Sequence, residues 1–264
     1  MAAISQDEGR NAALDYWRLI NVMDEEQLEL VEQSRVVYRQ MHPGSDEAAV
    51  PVDRPAALLP AGDLGQALIE EQDLRDDLAR ASWEARCEFQ VRYEDGFSAL
   101  LPHLGPTRQM SYLLVADARR LALAGDAEGA AERLASMLRI ARHMTGDRVL
   151  ISSLVGVGIA DMAINEGTWL VDQAGDKPAV REALSSALDR FPREDPYRVR
   201  DALRTERDLV GSLARQFPGA NAGAQFVDYY VGVSGEWAKE ALEPVRGMDG
   251  RAFREEIDRT TDAF

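Results

Sequence analysis

Apolar residues recur along most of this chain at spacings of three and four, which is the period of an amphipathic helix. The segment 126–144 follows the i, i+3, i+4, i+7 rule most clearly, at Leu134, Met137, Leu138 and Ala141. Residues 83–96 lose this period, because apolar and polar residues alternate there over a span too short for a sheet. The pattern predicts an all-α protein in which this segment is an extended connection.

Capping and breaking residues divide the pattern into successive helices. Asp24 and Gln27 have the spacing of a capping box, and the pair Gly125-Asp126 ends one helix and begins the next. The predicted helices cover residues 7–22, 24–40, 63–82, 107–124, 126–144, 147–173, 176–191, 195–217, about 226–241 and 249–261. We expect one all-helical domain over residues 1–264, divided into N-terminal helices (1–82), an extended connection (83–106) and a helical-hairpin stack (107–264).

The helix predicted over residues 147–173 differs from the others, because apolar residues cover nearly its whole circumference. A helix that is apolar on all sides is buried, so we expect it to be the central element of the core. Ser152, Gly156 and Ala160 fall four residues apart, which predicts a face that a neighbouring helix approaches closely. The uncharged run 149–160 is shorter than the roughly 20 residues of a membrane span, so no span is expected.

The centre of the chain resembles a tetratricopeptide (TPR) unit that begins at Ser111. The positions that match the unit are Ala118, Gly125, Asp126, Ala130, Leu134 and Leu138. One period later, Ile159 stands where the next turn would fall, so the match does not recur. The resemblance implies an irregular TPR-like stack of antiparallel helical hairpins, an α-solenoid-like architecture.

Three segments are similar to a helical family of planctomycete-type bacteria: NAALDYW (11–17), RCEFQVRYEDGFSALLPHL (86–104) and LISSLVGVGIADMAI (150–164), with a fainter match at RTERDLV (204–210). The family is uncharacterised, and its members often carry a hydrophobic leader before the first of these segments. The resemblance implies an all-α fold and no particular activity. Since no leader precedes NAALDYW here, we expect a cytoplasmic protein, with an exported or cell-envelope protein as the alternative if a leader was trimmed.

Charge and motifs narrow the classes of function. The formal net charge is −16, which disfavours binding to nucleic-acid phosphates and to anionic membranes. His42, His103 and His143 lack a second ligand at metal spacing, and the glycines at 156 and 158 lie inside a predicted helix rather than a nucleotide loop. One cysteine, Cys87, cannot form an internal disulfide. We therefore expect no metal, no cofactor and no catalytic residue, and we favour a non-enzymatic role.

Two acidic residues fall on apolar helical faces. Glu206 lies on the apolar stripe of the helix 195–217, and Asp161 lies in the helix 147–173 with Asn165 one turn later. A carboxylate that faces a core must be paired or lose its charge. Two interpretations stay open: a buried polar network with an arginine of the hairpin 107–144, or a pocket in which these acids do acid–base work.

The favoured function is a protein-interaction or scaffold module with a curved helical surface, and the expected partner is another protein. Tyr229, Tyr230 and Trp237 are candidates for the partner surface, with core packing as the alternative role of these aromatic residues. The alternative function is a ligand-binding or hydrolytic protein that uses Asp161 and Glu206 in a helical pocket.

Overall fold

A computed structural model describes residues 10–42, 63–92, 101–174 and 177–214, and in part residues 221–228 and 243–259. Its α-helices are α1 (Ala12–Val22), α2 (Glu25–Met41), α3 (Asp63–Glu70), α4 (Gln72–Ser82), α5 (Leu104–Leu123), α6 (Ala127–Met144), α7 (Leu150–Ala174), α8 (Pro178–Leu188) and α9 (Val199–Ala214). Two short 3-10 helices occur at Thr145–Asp147 and Glu243–Val245. These described residues contain no strand, so the all-α prediction is confirmed.

The chain divides into two compact units. The first comprises Met1–Phe89, Pro102–Asp147 and Ile151–Arg198, and it holds α1 to α6, α8 and all of α7 after its first residue. The second comprises Gln90–Leu101, Arg148–Leu150 and Val199–Phe264, and it holds α9. The single domain expected over residues 1–264 stays a prediction.

Local capping chemistry fixes the start of α2. The Asp24 carboxylate accepts a hydrogen bond from the backbone N–H of Gln27 at 2.9 Å, and the Gln27 side chain accepts one from the backbone N–H of Asp24 at 3.4 Å. This reciprocal pair is the predicted capping box, which satisfies two helix-terminal donors that would otherwise have no partner.

The turn between α5 and α6 is also set by its own residues. Gly125 has a φ of +90°, a left-handed conformation that glycine adopts without steric cost. The backbone N–H groups of Gly125 and Asp126 donate to Ala122 and Leu121, which is the hydrogen-bond pattern of a Schellman motif. The Asp126 carboxylate then accepts from the Gly129 N–H at 2.8 Å and begins α6. The predicted hairpin is therefore confirmed.

The core of the first unit is centred on α5 and α6. Residues 110–118 of α5 are all buried, and α5 packs against α6 and α2 while α6 also packs against α8 and α4. On α7, Ser152, Gly156 and Ala160 lie on the buried face, as predicted.

The prediction that α7 is buried on all sides is wrong, because Ile151, Leu154 and Ile164 are exposed on its other face. The described neighbours cover only one side of this helix.

The helix predicted over residues 63–82 also differs, since it is interrupted at Glu71. Glu71 accepts a hydrogen bond from Gln27 of α2 at 2.7 Å, a tertiary contact that the hydrophobic period does not show.

Residues 84–92 of the connection predicted over 83–106 are not helical, whereas its last residues belong to α5, which begins at Leu104. The anchor of the connection is Asn11, the N-cap of α1. The Asn11 side chain donates to the carbonyl of Glu88 at 3.0 Å and accepts from its N–H at 2.9 Å, and the N–H of Ala12 donates to the carbonyl of Arg86. These bonds place the Phe89 ring in the core, stacked on His103 at a centroid distance of 3.8 Å.

The second unit contains α9 and part of the C-terminal segment. Ala202 and Phe253 are fully buried, which gives this unit apolar core residues on both segments. Asp249 accepts hydrogen bonds from the backbone N–H groups of Arg251 and Ala252, so it begins a helical turn as its position predicts.

Candidate functional site

Among its described residues, the first unit buries three acidic side chains, Asp117, Asp147 and Glu166, each with an exposed fraction of 3% or less. None of them was singled out by the sequence analysis as an acid on an apolar face. An isolated buried carboxylate is costly to keep ionised, so the partners of each acid decide whether it is structural or available for chemistry.

Asp117 is surrounded by arginines. One carboxylate oxygen contacts Arg75 and Arg120, and the other accepts from Arg133 Nε at 2.8 Å. Arg133 also pairs with Asp76 at the edge of the cluster, with 2.6 Å between Arg133 Nη2 and Asp76 Oδ1. The Asp117 carboxylate therefore has its charge neutralised and both oxygens occupied. We interpret this cluster as a structural ion-pair network that joins α4, α5 and α6.

Asp147 accepts hydrogen bonds from His103 Nε2 at 2.7 Å and from the Ser152 hydroxyl at 3.1 Å. The residue types match those of a catalytic triad, but the order does not. A serine nucleophile needs the imidazole between the serine and the acid, whereas here the carboxylate lies between them. All three residues are buried and the His103 ring is stacked on Phe89, so a substrate has no access to them.

Glu166 joins three helices. His42 Nε2, at the end of α2, lies 2.6 Å from one carboxylate oxygen, and Arg119 of α5 contacts the other. The Arg119 guanidinium also lies 3.5 Å from the centroid of the Trp169 ring, in a cation–π contact. Burial, together with the Glu166 charge, raises the pKa of the neighbouring Tyr38 to about 12. The acid is thus paired on both oxygens, which is again a structural arrangement.

His143 forms a buried bridge within the first unit. Its Nδ1 lies 2.8 Å from the Tyr16 hydroxyl, and its Nε2 lies 2.9 Å from the carbonyl oxygen of Glu84. A carbonyl can only accept, so Nε2 carries the proton and Nδ1 accepts from Tyr16. Burial, together with the nearby Arg142 charge, lowers the pKa of His143 to about 4. The imidazole is therefore neutral at neutral pH.

Acidification is expected to destabilise the protein through His143. The folded-state pKa of about 4 lies below the usual value of about 6.5, so the unfolded state takes up a proton first as the pH falls. The stabilising contribution is complete above pH 6.5 and is lost towards pH 4, which amounts to about 2 kcal/mol between pH 7 and pH 5. Urea unfolding of the wild type and of His143→Gln at both pH values measures this difference. A parallel loss of stability in the two proteins would contradict the prediction.

A groove between α2 and α3 is the candidate site for a partner. Its volume is about 290 Å³, and its lining residues are Glu29, Glu32, Gln33, Val36, Val37 and Leu64. The α2 residues lie three and four positions apart, which places them on one face of the helix. Val36 and Leu64 supply apolar surface, and Glu29 and Glu32 supply an acidic rim. Arg35 pairs with Glu32 through two hydrogen bonds and lowers its pKa, so Glu32 is ionised at neutral pH.

A second cavity, in the part of the chain that the structure describes, lies against α1 and α4. Its volume is about 20 Å³, and most of its lining residues are charged. It therefore has room for about one water molecule. Substrate pockets are usually about 300–1,000 Å³. Within the same described residues, no group of three or more His, Cys, Asp or Glu side chains could hold a metal ion.

None of the three residues predicted to form a buried polar network is fully buried. Asp161 and Asn165 are exposed, and the Asn165 amide donates to the Asp161 carboxylate at 3.2 Å. The prediction that Asp161 is buried is therefore wrong, because it lies on the uncovered face of α7.

Tyr229, Tyr230 and Trp237, the predicted partner surface, lie outside the described residues.

Glu206 is half-buried and belongs to the second unit, where its carboxylate accepts a hydrogen bond from the backbone N–H of Leu150 at 2.8 Å. The structure thus gives Glu206 a backbone donor, where the sequence analysis considered an arginine. Of the arginines in the hairpin 107–144, Arg119, Arg120 and Arg139 pair with Glu166, Asp117 and Glu132.

One helix of the described residues, α7, is long and apolar enough to cross a membrane by length and composition. Half of the 18-residue apolar stretch that meets this criterion is buried. The absence of a membrane span stays a prediction for this chain.

Comparison with other proteins does not assign this chain to a family. No family model, no curated protein and no solved structure matches it.

Proposed function

We propose that this chain is a non-enzymatic protein-interaction module, built as an irregular TPR-like stack of helical hairpins, and that it binds another protein through the groove between α2 and α3. The observation that carries the proposal is the combination of apolar surface and acidic rim in this groove. Such a surface suits one face of a partner helix better than a compact substrate.

The pairing of the buried acids supports a structural rather than a catalytic role for them. Asp117 and Glu166 each contact cationic arginines, and Asp147 accepts hydrogen bonds on a buried oxygen. Acid–base catalysis needs a carboxyl group that can reach a substrate and exchange a proton with it. The alternative function, hydrolysis or ligand binding by Asp161 and Glu206, is not favoured, because Asp161 is exposed and already bonded to Asn165.

The charge of the groove indicates the chemistry of the partner. Glu29 and Glu32 are exposed at its rim, and the chain as a whole carries a net charge of −16. Opposite charges steer association and select partners. We therefore propose an amphipathic helix whose apolar residues contact Val36 and Leu64 and whose lysines or arginines face the two glutamates.

The resemblance to the planctomycete-type helical family stays part of this proposal. Two of the segments that carry it, 11–17 and 86–104, meet at the bridge between Asn11 and Arg86. This contact gives the two segments a shared structural role in the chain, and it indicates no activity.

A pair of matched variants tests the groove. Val36→Arg places a cation on its apolar floor, and Leu14→Arg makes the same change at an exposed apolar position of α1. The partner captured by the wild type is expected to bind Val36→Arg at least tenfold more weakly, a change of about 1.4 kcal/mol, and to bind Leu14→Arg unchanged. Affinities are measured by calorimetry after circular dichroism has shown that both variants fold.

Two results would overturn the proposal. One is a partner that binds both variants with the affinity of the wild type, since it would not use the groove. The other is a captured partner whose contact segment is acidic, because Glu29 and Glu32 would repel it.

A further inference from the structure

An arginine cluster lies around Trp83, at the end of α4. The Arg139 guanidinium lies 3.5 Å from the centroid of the indole ring, and that of Arg190 lies 5.3 Å from it. Arg142 follows Arg139 by three residues and so shares its face of α6. Arg139 donates to Glu132 through Nη1, but the buried Nε atoms of both Arg139 and Arg142 find no hydrogen-bond acceptor among the described residues.

Positive charge is in excess at this cluster. Burial lowers the pKa of Arg142, and the charges of Arg190 and Arg198 lower it further. The described groups that oppose this shift are Tyr16 and Cys87. Burial raises the pKa of both, so neither is an anion at neutral pH. Glu132 is a carboxylate of this cluster, but it pairs with Arg139. Arg142 is therefore a half-buried guanidinium beside two other cations, which is an unfavourable arrangement when nothing else is bound.

Two ordinary explanations account for only part of this arrangement. The C-terminal end of α6 favours cations, but its dipole is equivalent to roughly half a charge, and the cluster holds several guanidinium groups. An ordered water molecule could accept a hydrogen bond from Arg142 Nε. A neutral water, however, does not remove the repulsion between Arg142 and the arginines at 190 and 198.

We propose that this cluster is a binding site for a phosphate-type oxyanion, held by Arg139, Arg142, Arg190 and Arg198 beside Trp83. The arginine fork matches the oxygen spacing of a phosphate and binds it through two parallel hydrogen bonds. A phosphate monoester carries a charge of about −1.5 to −2 at neutral pH, which neutralises the positive charge that remains after Glu132 has paired with Arg139. Trp83 is 51% exposed, so its ring can contact the organic part of an ester.

The site is local, because the whole chain is acidic. A net charge of −16 repels anions from the rest of the surface. Binding of a small oxyanion therefore requires these particular arginines, and it is compatible with the expectation that the chain does not bind duplex nucleic acid, which needs an extended basic face.

Calorimetry on the full chain tests the site with two probes, inorganic phosphate and phenyl phosphate, in chloride buffer of matched ionic strength. We expect a Kd of about 1 mM or tighter for at least one probe, and a loss of affinity of tenfold or more in Arg142→Gln and in Arg190→Gln. Arg190 is exposed, so its substitution tests the site without disturbing the core. Arg108→Gln, an exposed change of equal charge on α5, is the matched control and is expected to bind like the wild type.

The two probes separate the sources of the anion. Binding of both identifies free phosphate as sufficient, and binding of phenyl phosphate alone identifies an ester as the ligand. The proposal is overturned if neither probe binds better than chloride. It is also overturned if Arg190→Gln binds like the wild type, or if Arg108→Gln loses as much affinity as Arg190→Gln, because the effect would then reflect net charge alone.

Discussion

Replacing Asp117 with alanine is expected to lower the free energy of unfolding by about 3–5 kcal/mol. Arg75 is 1% exposed and contacts the Asp117 carboxylate. Removing the acid alone would leave this arginine buried without its counter-ion, and would also remove a partner of Arg120 and Arg133. Arginine does not lose its proton in proteins, so the stranded charge cannot be relieved by titration. Urea unfolding followed by circular dichroism measures the change.

Two variants of the same network serve as controls. Asp117→Asn keeps one oxygen acceptor and the shape of the side chain, so it is expected to cost less than the alanine variant. Asp76→Ala removes a half-exposed acid that contacts Arg133, and an exposed ion pair contributes about 0–1 kcal/mol. Equal losses for Asp117→Ala and Asp76→Ala would show that burial does not make the Asp117 network critical.

Features fixed by neighbouring residues could be predicted from the sequence. The capping box of Asp24 and Gln27 and the hairpin turn at Gly125 depend on side chains and backbone within a few positions. The extended segment after α4 could be recognised because the helical period stops there. The break at Glu71 could not, since it accompanies a contact with another helix.

The buried acids show where the hydrophobic period does not predict which face of a helix is buried. On α7 apolar residues surround the helix, so the pattern does not select the face that packs, and it predicts burial for Asp161, which is exposed. The small residues Ser152, Gly156 and Ala160 were the better signal. Continuing their face by helical steps of three and four reaches Glu166, which is the buried acid. The small residues therefore indicate the packed face of α7 where its apolar residues do not.

No pattern in the sequence predicts either of the two proposed binding surfaces. The groove depends on how α3 packs on α2, and the arginine cluster brings together residues from α4, from α6 and from the segment after α8. Net charge was misleading for the cluster, because a chain with an overall charge of −16 can still place several cations at one point. Only the fold shows such a local excess.

Replacing Gly156 with leucine is expected to cost about 3 kcal/mol, in the upper part of the range for overpacked cores. A Cβ atom at this position would lie 2.8 Å from the backbone oxygen of Ala141 and 3.0 Å from Cγ2 of Thr145. The first of these atoms belongs to the backbone of α6 and cannot rotate away, so α7 must move. The loss of stability is measured by thermal and urea unfolding of the variant and the wild type.

Gly158 gives the matched control on the same helix. A Cβ atom there would meet only Arg108 Nε, at 4.0 Å, so the position has room for a side chain. Gly158→Ala is expected to leave stability unchanged or to raise it by up to about 1 kcal/mol, because alanine favours the helix more than glycine does. Gly156→Ala should already be destabilising, since the conflict begins at Cβ. If both alanine variants are stabilising, α7 does not pack on α6 through this face, and the close contact inferred from Ser152, Gly156 and Ala160 is wrong.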